Sequence, residues 1–507
     1  MKVGILIGLI IYMLIVILGF GYVIMKKQEH TGLKSGTFTL SNRDLPLPVV
    51  ACTLALTVLG TIHVLGLFEM SFHLGAVAQW VSFAHVALLI VVCLVTGRIA
   101  RLIGVNSSPE LINMIFGPKV RLMCACVMSG CIFGIVTLET QGFGIILSTI
   151  TGLPIGVAAV IGTAFGVVYV ILAGMKEIAW LNLINTFIMY VGLIVTVIVL
   201  GQKLPGGWSA VEHYWLASET PWKLSLWGTP DGTLFFGFAL AFVISTVFFY
   251  SSSQMLLQPA LAARDAQAVK KAMFIAAPLN GLFGVFTIAI GLAAASLPES
   301  IQLAGGDVEI IAKIAAPTML VNYLPPWLVV WLLASFVAAV LSTFAMTVIS
   351  IATIFTMDIY KNLFKPDLDP EGERRTVRIV IIIAAVYGCI LAQFLPQLVH
   401  AMNWLFAWMS PVFVLLLFGL FWKRSTQGAA ATLTITWIVN CLWSFTPLAS
   451  AIASTGITWL DAALMNNVYV CVVLGFIIGY ITHLSPNAKP GILRGITAEA
   501  FAAAQRG

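Results

Sequence analysis

Ala51-Cys-Thr-Leu-Ala-Leu-Thr-Val-Leu-Gly-Thr-Ile-His-Val-Leu-Gly66 decides the reading of this chain. It is apolar enough to lie in a bilayer, yet Thr57, Gly60, Thr61 and Gly66 interrupt it near the middle. In hydrocarbon every backbone N–H and C=O needs a partner inside the protein, so a broken helix at that depth is tolerated only where it lines a cavity. A second polar interruption, Phe248-Phe-Tyr-Ser-Ser-Ser-Gln254, falls five spans later. Interruptions at corresponding places in two halves of a membrane chain point to a central binding site, because unwinding frees carbonyls that can coordinate a cation.

The composition agrees. Of 507 residues, 60% are apolar and only 9% charged, where a soluble domain carries about 25% charged residues. Mean hydropathy is +1.03. A cytosolic enzyme, a nucleic-acid binder and a secreted disulfide scaffold are excluded on these figures. All eight cysteines lie in apolar stretches. Cys124, Cys126 and Cys131 sit in an unbroken helical pattern without the paired spacing and histidines of a zinc site, and read as small core side chains.

Spans of roughly 20 residues are predicted at 1–25, 46–68, 74–97, 120–147, 154–174, 178–201, 233–257, 272–296, 324–360, 377–396, 398–422, 427–447 and 465–483. The first is too long for a signal peptide and ends at Lys26-Lys27, so it reads as a leading transmembrane helix. The thirteen spans make an all-α integral membrane protein. Strict alternation places all but Lys2, Lys203, Lys223 and Lys313 of the 26 basic residues on one side. By the positive-inside rule that side is cytoplasmic, with the N-terminus outside and the C-terminus inside a cell membrane. The net charge of +6 is then a topology signal. The external loops 202–232 and 297–323 are expected to anchor or cover, with Trp208, Trp215, Trp222 and Trp227 near the interface. The tail 484–507 is expected to hold no catalytic or signalling module.

Within the spans the ionisable residues are few: Glu69, Glu139, His63, His73 and His85. A carboxyl costs a few kcal/mol at the bilayer centre. Glu139 therefore reads either as part of a solute path or as a protonated group bonded to a neighbouring helix. Glu69 fits the headgroup region.

Four stretches resemble the sodium:solute symporter family, which contains the sodium/proline, sodium/glucose, sialic acid and choline carriers. They are Ala338-Ala-Val-Leu-Ser-Thr343 with Ala352-Thr-Ile-Phe-Thr-Met-Asp-Ile-Tyr-Lys361; Gln254-x-x-x-Gln258 with Ala262-Ala-Arg-Asp265 and Lys270-Lys271; Gly174-Met-Lys-Glu-Ile-Ala-Trp180; and Gly419-Leu-Phe-Trp-Lys-Arg-Ser-Thr-x-Gly-Ala429.

The resemblance implies two inverted five-helix repeats, 46–201 and 233–424, whose core helices 1 and 6 are broken. A leading helix (1–27) would precede them, the 202–232 loop would join them, and two peripheral helices (427–483) would follow. It also implies a sodium ion held where core helix 1 meets core helix 8. Ser342 and Thr343 would supply side-chain oxygens, and Ala339, Leu56 and Leu59 backbone carbonyls. Ala339, Ser342 and Thr343 stand at i, i+3 and i+4, on one helical face. Five neutral oxygens suit a cation that must bind and leave again.

Where the family commonly has Thr-Asp after the Trp of core helix 5, this chain has Trp180-Leu181-Asn182. We therefore expect one coupled sodium per cycle. A tenfold gradient supplies about 1.4 kcal/mol and ~100 mV about 2.3. The sum, near 4 kcal/mol, supports roughly a thousandfold accumulation of a neutral solute.

The solute cavity is expected beside the ion, lined by Thr57, Thr61 and His63 on core helix 1, Gln79 and Ser82 on core helix 2, and Glu139 and Gln141 on core helix 3. Thr246, Phe249, Tyr250 and Ser253 would line it from core helix 6, with Phe249 as a cytoplasmic closure. Aromatic rings and a membrane carboxyl without a nearby Lys or Arg lean towards an amine-bearing solute. A sodium- or proton-coupled carrier of a monocarboxylate is the alternative. Neither nucleic acid nor an obligatory protein partner is implied. A membrane-embedded enzyme using His63, His73 or His85 lacks a nucleophile–base signature. A channel and a transport-derived sensor are the remaining rivals.

Overall fold

The computed structural model describes residues 2–12, 14, 15, 19, 37–172, 174–304, 308–394 and 398–494. It is helical apart from a two-residue antiparallel pairing of Lys423–Arg424 with Lys489–Pro490. The helical bias has a simple cause. An apolar chain in a bilayer can satisfy its backbone locally only as helix, and the polar residues are concentrated at breaks and ends.

Nine helices among the described residues are long and apolar enough to cross a membrane, or ten if the bent pair Thr458–Met465 and Asn467–His483 is one span. The expected thirteen differ from this for identifiable reasons. The leading helix is described over Lys2–Tyr12 and beyond that only at 14, 15 and 19, while Lys26-Lys27 lies outside the described residues; so does most of the tail, 495–507. The first interrupted span is divided: Leu47–Thr57 stops, Val58 to Gly60 are non-helical, and the chain resumes through a wide π turn, Ile62–Gly66, into Leu67–Leu74. The loops expected at 202–232 and 297–323 contain helices Gly207–Ala217, Pro298–Ala304 and Val308–Tyr323. The last is apolar, but its 16 residues span only about 24 Å, short of a bilayer core.

The second interruption also occurs in the structure. Leu240–Ser252 ends at Ser253, which is extended (φ −78°, ψ 142°), and Gln254–Leu261 follows, with the Ser253 hydroxyl accepting from Met255 N. A backbone bridge joins the two interrupted segments at one end: Leu45 N donates to the Ala262 carbonyl and Arg264 N to the Leu45 carbonyl. Pro326–Thr353 continues through a π segment, Ile354–Tyr360, as one long rod that is nine-tenths buried along its apolar window. Pro118–Thr151 packs beside it, and Ala266–Ser296 covers the opposite side of the first break.

Segments of the 202–232 stretch fold onto the Leu74 end of the first interrupted helix. Lys223 Nζ donates to the Phe72 carbonyl at 2.8 Å and lies over the Trp215 ring, while Trp80 Nε1 donates to the Leu226 carbonyl. Gly75, at φ +64°, admits the Lys223 carbonyl where a Cβ would stand 2.2 Å from it.

Candidate functional site

Val58, Leu59 and Gly60 leave the helix, and the space at Gly60 admits no side chain. A Cβ there would fall 2.3 Å from Glu139 Oε1 and 2.7 Å from Thr343 Cγ2. The break thus lies against two other helices at once, Pro118–Thr151 and Pro326–Thr353. At this junction Thr343 Oγ1 donates to the Leu56 carbonyl at 2.9 Å and lies 3.3 Å from the Ala339 carbonyl. Leu59 N donates to the same Leu56 oxygen at 3.3 Å. Ser342 Oγ is buried and has no hydrogen-bond partner. Of the residues expected to supply sodium oxygens, Thr343, Leu56 and Ala339 are in contact at the first break, and the Ser342 hydroxyl is buried with nothing to bond.

Glu139 closes the other side. Its Oε2 accepts from both Thr61 N and Thr61 Oγ1, each at 3.0 Å. Gly142, one turn along, has no Cβ where one would meet Thr61 Oγ1 at 1.9 Å. Thr57 turns back on its own helix, donating to the Thr53 carbonyl at 2.6 Å.

A polar interior continues from this point. His63 is fully buried, with its ring edge-on to His85 at 4.0 Å and 6.2 Å from Phe283. His85 Nδ1 lies 2.7 Å from the Val81 carbonyl. A carbonyl can only accept, so Nδ1 carries the proton there, which leaves Nε2 of the singly protonated ring as an acceptor. The Nε2 atoms of both histidines are buried without a partner. Tyr250 tilts towards His85 at 5.8 Å. Thr246, one turn before Tyr250, is buried with its hydroxyl unpartnered. Phe249 stacks on Phe406 at 4.2 Å, and Tyr250 meets the same ring edge-on at 5.2 Å.

Gln79 and Ser82 face Ala266–Ser296. Gln79 Nε2 donates to the Gly281 carbonyl at 3.0 Å, and a Cβ on Gly284 would fall 2.2 Å from Ser82 Oγ and 2.6 Å from Gln79 Oε1. Both oxygens are unpartnered. Gln141 is buried on the Pro118–Thr151 helix. Ser253 caps the helix beyond the second break.

A family model for the sodium:solute symporter family matches residues 38–436. The chain belongs to the sodium:solute symporter family. It is 25% identical to a sodium/glucose cotransporter of Vibrio parahaemolyticus over 95% of this chain and 90% of that protein. It is 23% identical to the sodium/sialic acid symporter SiaT of Proteus mirabilis over 54% of this chain and 57% of that one. A solved structure of a Na+-coupled sialic acid symporter in a substrate-bound, outward-open state superposes with a TM-score of 0.76, covering 96% of this chain and 99% of that chain at 18% identity. Family membership makes this chain a multi-pass membrane transporter with sodium as coupling ion, not an enzyme.

Several symporter residues were not singled out from sequence. Asn280 donates from Nδ2 to the Ala55 carbonyl at 3.3 Å and leaves Oδ1 buried and unpartnered. Phe283 backs His63, and Phe406 caps the aromatic stack. Their signal in the sequence is slight, since a lone Asn or Phe in an apolar helix has many neutral explanations.

A second polar knot surrounds the other break. Ser108 N and Oγ donate to Gln254 Oε1 and the Ser252 carbonyl, and Gln258 Nε2 donates to the Thr39 carbonyl. Close by, Arg121 pairs with Asp358 at 2.7 Å and Ser107 Oγ donates to the same carboxylate oxygen at 2.9 Å.

Proposed function

We propose that this symporter imports a small polar organic solute by alternating access, moving one sodium ion per cycle. The observation that carries the reading is the orphaned Ser342 hydroxyl beside Thr343 Oγ1, itself in hydrogen-bond contact with the Leu56 and Ala339 carbonyls. A buried hydroxyl without a partner costs stability unless something binds it. Sodium bound by Leu56, Leu59, Ala339, Ser342 and Thr343 satisfies it and holds the first break against the Pro326–Thr353 helix. In this reading the chain has thirteen spans with its N-terminus outside, and two inverted repeats meet at the interior between the breaks.

The solute lies beside the ion among Thr57, Thr61, His63, Gln79, Ser82, Glu139, Gln141, Thr246, Phe249, Tyr250 and Ser253, with Asn280 added. The unpartnered atoms there are mostly acceptors or hydroxyls, which favours a solute rich in hydrogen-bond donors. An ammonium group offers such donors and is recognised by ring faces. A polyhydroxy compound offers them too, and the Vibrio relative carries glucose in its name.

Uptake of labelled solutes into proteoliposomes, driven by a sodium gradient and in parallel by a proton gradient, tests the reading. Accumulation under sodium alone is expected. Equal accumulation under protons without sodium overturns it. Competition by amines against polyols then fixes the class.

A further inference from the structure

The second half of the first interrupted helix starts at Thr61 and runs to Leu74. Its opening N–H groups have no intrahelical acceptor, and the helix dipole makes that end positive, so it is a natural seat for a small anion. In this chain the seat is already taken. Glu139 Oε2 accepts from Thr61 N and Thr61 Oγ1 together, both at 3.0 Å. The carboxyl reaches so far into the break that only a glycine fits at position 60, and only a glycine at 142 lets Thr61 Oγ1 come as close as it does. Two bare backbone positions on two different helices thus accommodate one carboxyl group. The occupancy does not depend on ionisation, since a carboxyl protonated at Oε1 still accepts through Oε2.

The surroundings offer an anion no charged side-chain donor in its place. His85 Nε2 is an acceptor, and the buried unpartnered atoms on the other lining side chains include His63 Nε2, Gln79 Oε1, Asn280 Oδ1, Ser82 Oγ and Thr246 Oγ1. Among the described side chains that meet between the two breaks there is no Lys or Arg. The nearest base on the Glu139 helix, Arg121, stands about 27 Å away along the axis and is committed to Asp358.

We propose that Glu139 is a specificity-determining residue that keeps the donor seat of the first break closed to anions, so that the transported solute carries no carboxylate there and is bound through its own donors. This deepens the symporter reading and rests on it. A solute carboxylate in this interior would meet a second carboxyl group, find both Thr61 donors used and find no Lys or Arg among the described lining side chains to pair with.

The test uses the full chain in proteoliposomes and reads solute-dependent uptake of radioactive sodium. Solutes are supplied as matched pairs that differ only in a terminal CH2OH or COO−: glycerol and glycerate, glucose and glucuronate, choline and betaine. In the wild type only hydroxymethyl members should drive sodium entry. Glu139→Ala frees the Thr61 donors and should move the carboxylate-to-alcohol ratio towards the carboxylate about ten- to hundredfold, the range of a hydrogen bond to a charged group. Glu139→Gln fills the same volume, still accepts from Thr61 and should keep the wild-type preference. Wild-type sodium entry driven as well by carboxylates overturns the proposal while leaving the symporter reading intact, and does so even if Glu139→Ala fails to fold. An unchanged ratio in a folded Glu139→Ala protein overturns it too. Sodium entry driven by no member of any pair overturns the symporter reading and this proposal with it.

Discussion

Thr343 Oγ1 donates to the Leu56 carbonyl at 2.9 Å, tying the long Pro326–Thr353 helix to the first break. Its neighbour Ser342 has no such bond. The pair therefore answers substitution differently. Ser342→Ala removes a buried hydroxyl that bonds nothing, so sodium-free stability should hold or rise slightly. Sodium affinity should fall about tenfold, or 1.4 kcal/mol. Thr343→Ala also strips the Leu56 carbonyl of its donor and should cost sodium-free stability of about 1 kcal/mol, whereas Thr343→Ser should recover it. Thermal unfolding with and without sodium separates the two effects. Equal loss of sodium-free stability in both alanine variants would count against the assigned roles.

Gly60 and Gly142 are conformationally ordinary but sterically committed. Gly60→Ala places a methyl 2.3 Å from Glu139 Oε1 and 2.7 Å from Thr343 Cγ2. Overpacking of this kind costs about 1–3 kcal/mol, and here it pries Glu139 from Thr61. Sodium-driven uptake should fall more than tenfold, with a lower melting temperature. Gly130→Ala, on the same helix as Glu139 but with nothing within 4 Å of the added carbon, should leave both unchanged.

Much of this site was legible in the sequence because its signals are local. Gly60 and the serine run at 251–253 stand out as polar or flexible positions in apolar helices, and Ala339, Ser342 and Thr343 share a face by spacing alone. What the sequence did not reveal depends on partners remote in the chain. Nothing near Gln79 or Ser82 tells that they turn towards Gly281 and Gly284, some two hundred residues away. Asn280 is polar in an apolar run, but its bond to Ala55 comes from packing. Glu139 stood between two readings, path or helix–helix bond, and the geometry shows the bond to Thr61 directly. The 297–323 segment read as loop because its apolar helix is too short to span.

The cover that the 202–232 stretch makes over the first interrupted helix is tested at Lys223. Its ammonium donates to the Phe72 carbonyl at 2.8 Å and lies 4.8 Å from the Trp215 ring centroid. Lys223→Met keeps the apolar stem and loses the charged bond, about 1.5 kcal/mol. Amide hydrogen exchange over residues 221–228 should accelerate roughly tenfold while the helices around Gly60 keep their protection. Unchanged exchange would mean that Trp80, through Leu226, holds the segment alone.

The Arg121–Asp358 pair should matter most for which side of the symporter opens. Asp358 is wholly buried in the π segment at the end of the buried Pro326–Thr353 rod, and one of its oxygens receives both Arg121 and Ser107. Arg121 also donates to the Met357 carbonyl at 3.2 Å, so the start of Pro118–Thr151 is fastened to that segment through side chain and backbone. Removing one partner of a buried pair strands the other, at about 3 kcal/mol. Asp358→Asn keeps the shape and an acceptor but loses the charge, and should destabilise less than Asp358→Ala. If the pair serves only folding, a folded Asp358→Asn protein will bind sodium as the wild type does. If it latches the Gln254–Gln258 side shut, as the adjoining Ser108 bonds to Gln254 and Ser252 lead us to expect, a cysteine placed at Thr246 should become reactive to a membrane-impermeant thiol reagent in the Asp358→Asn background, and sodium should no longer suppress that labelling.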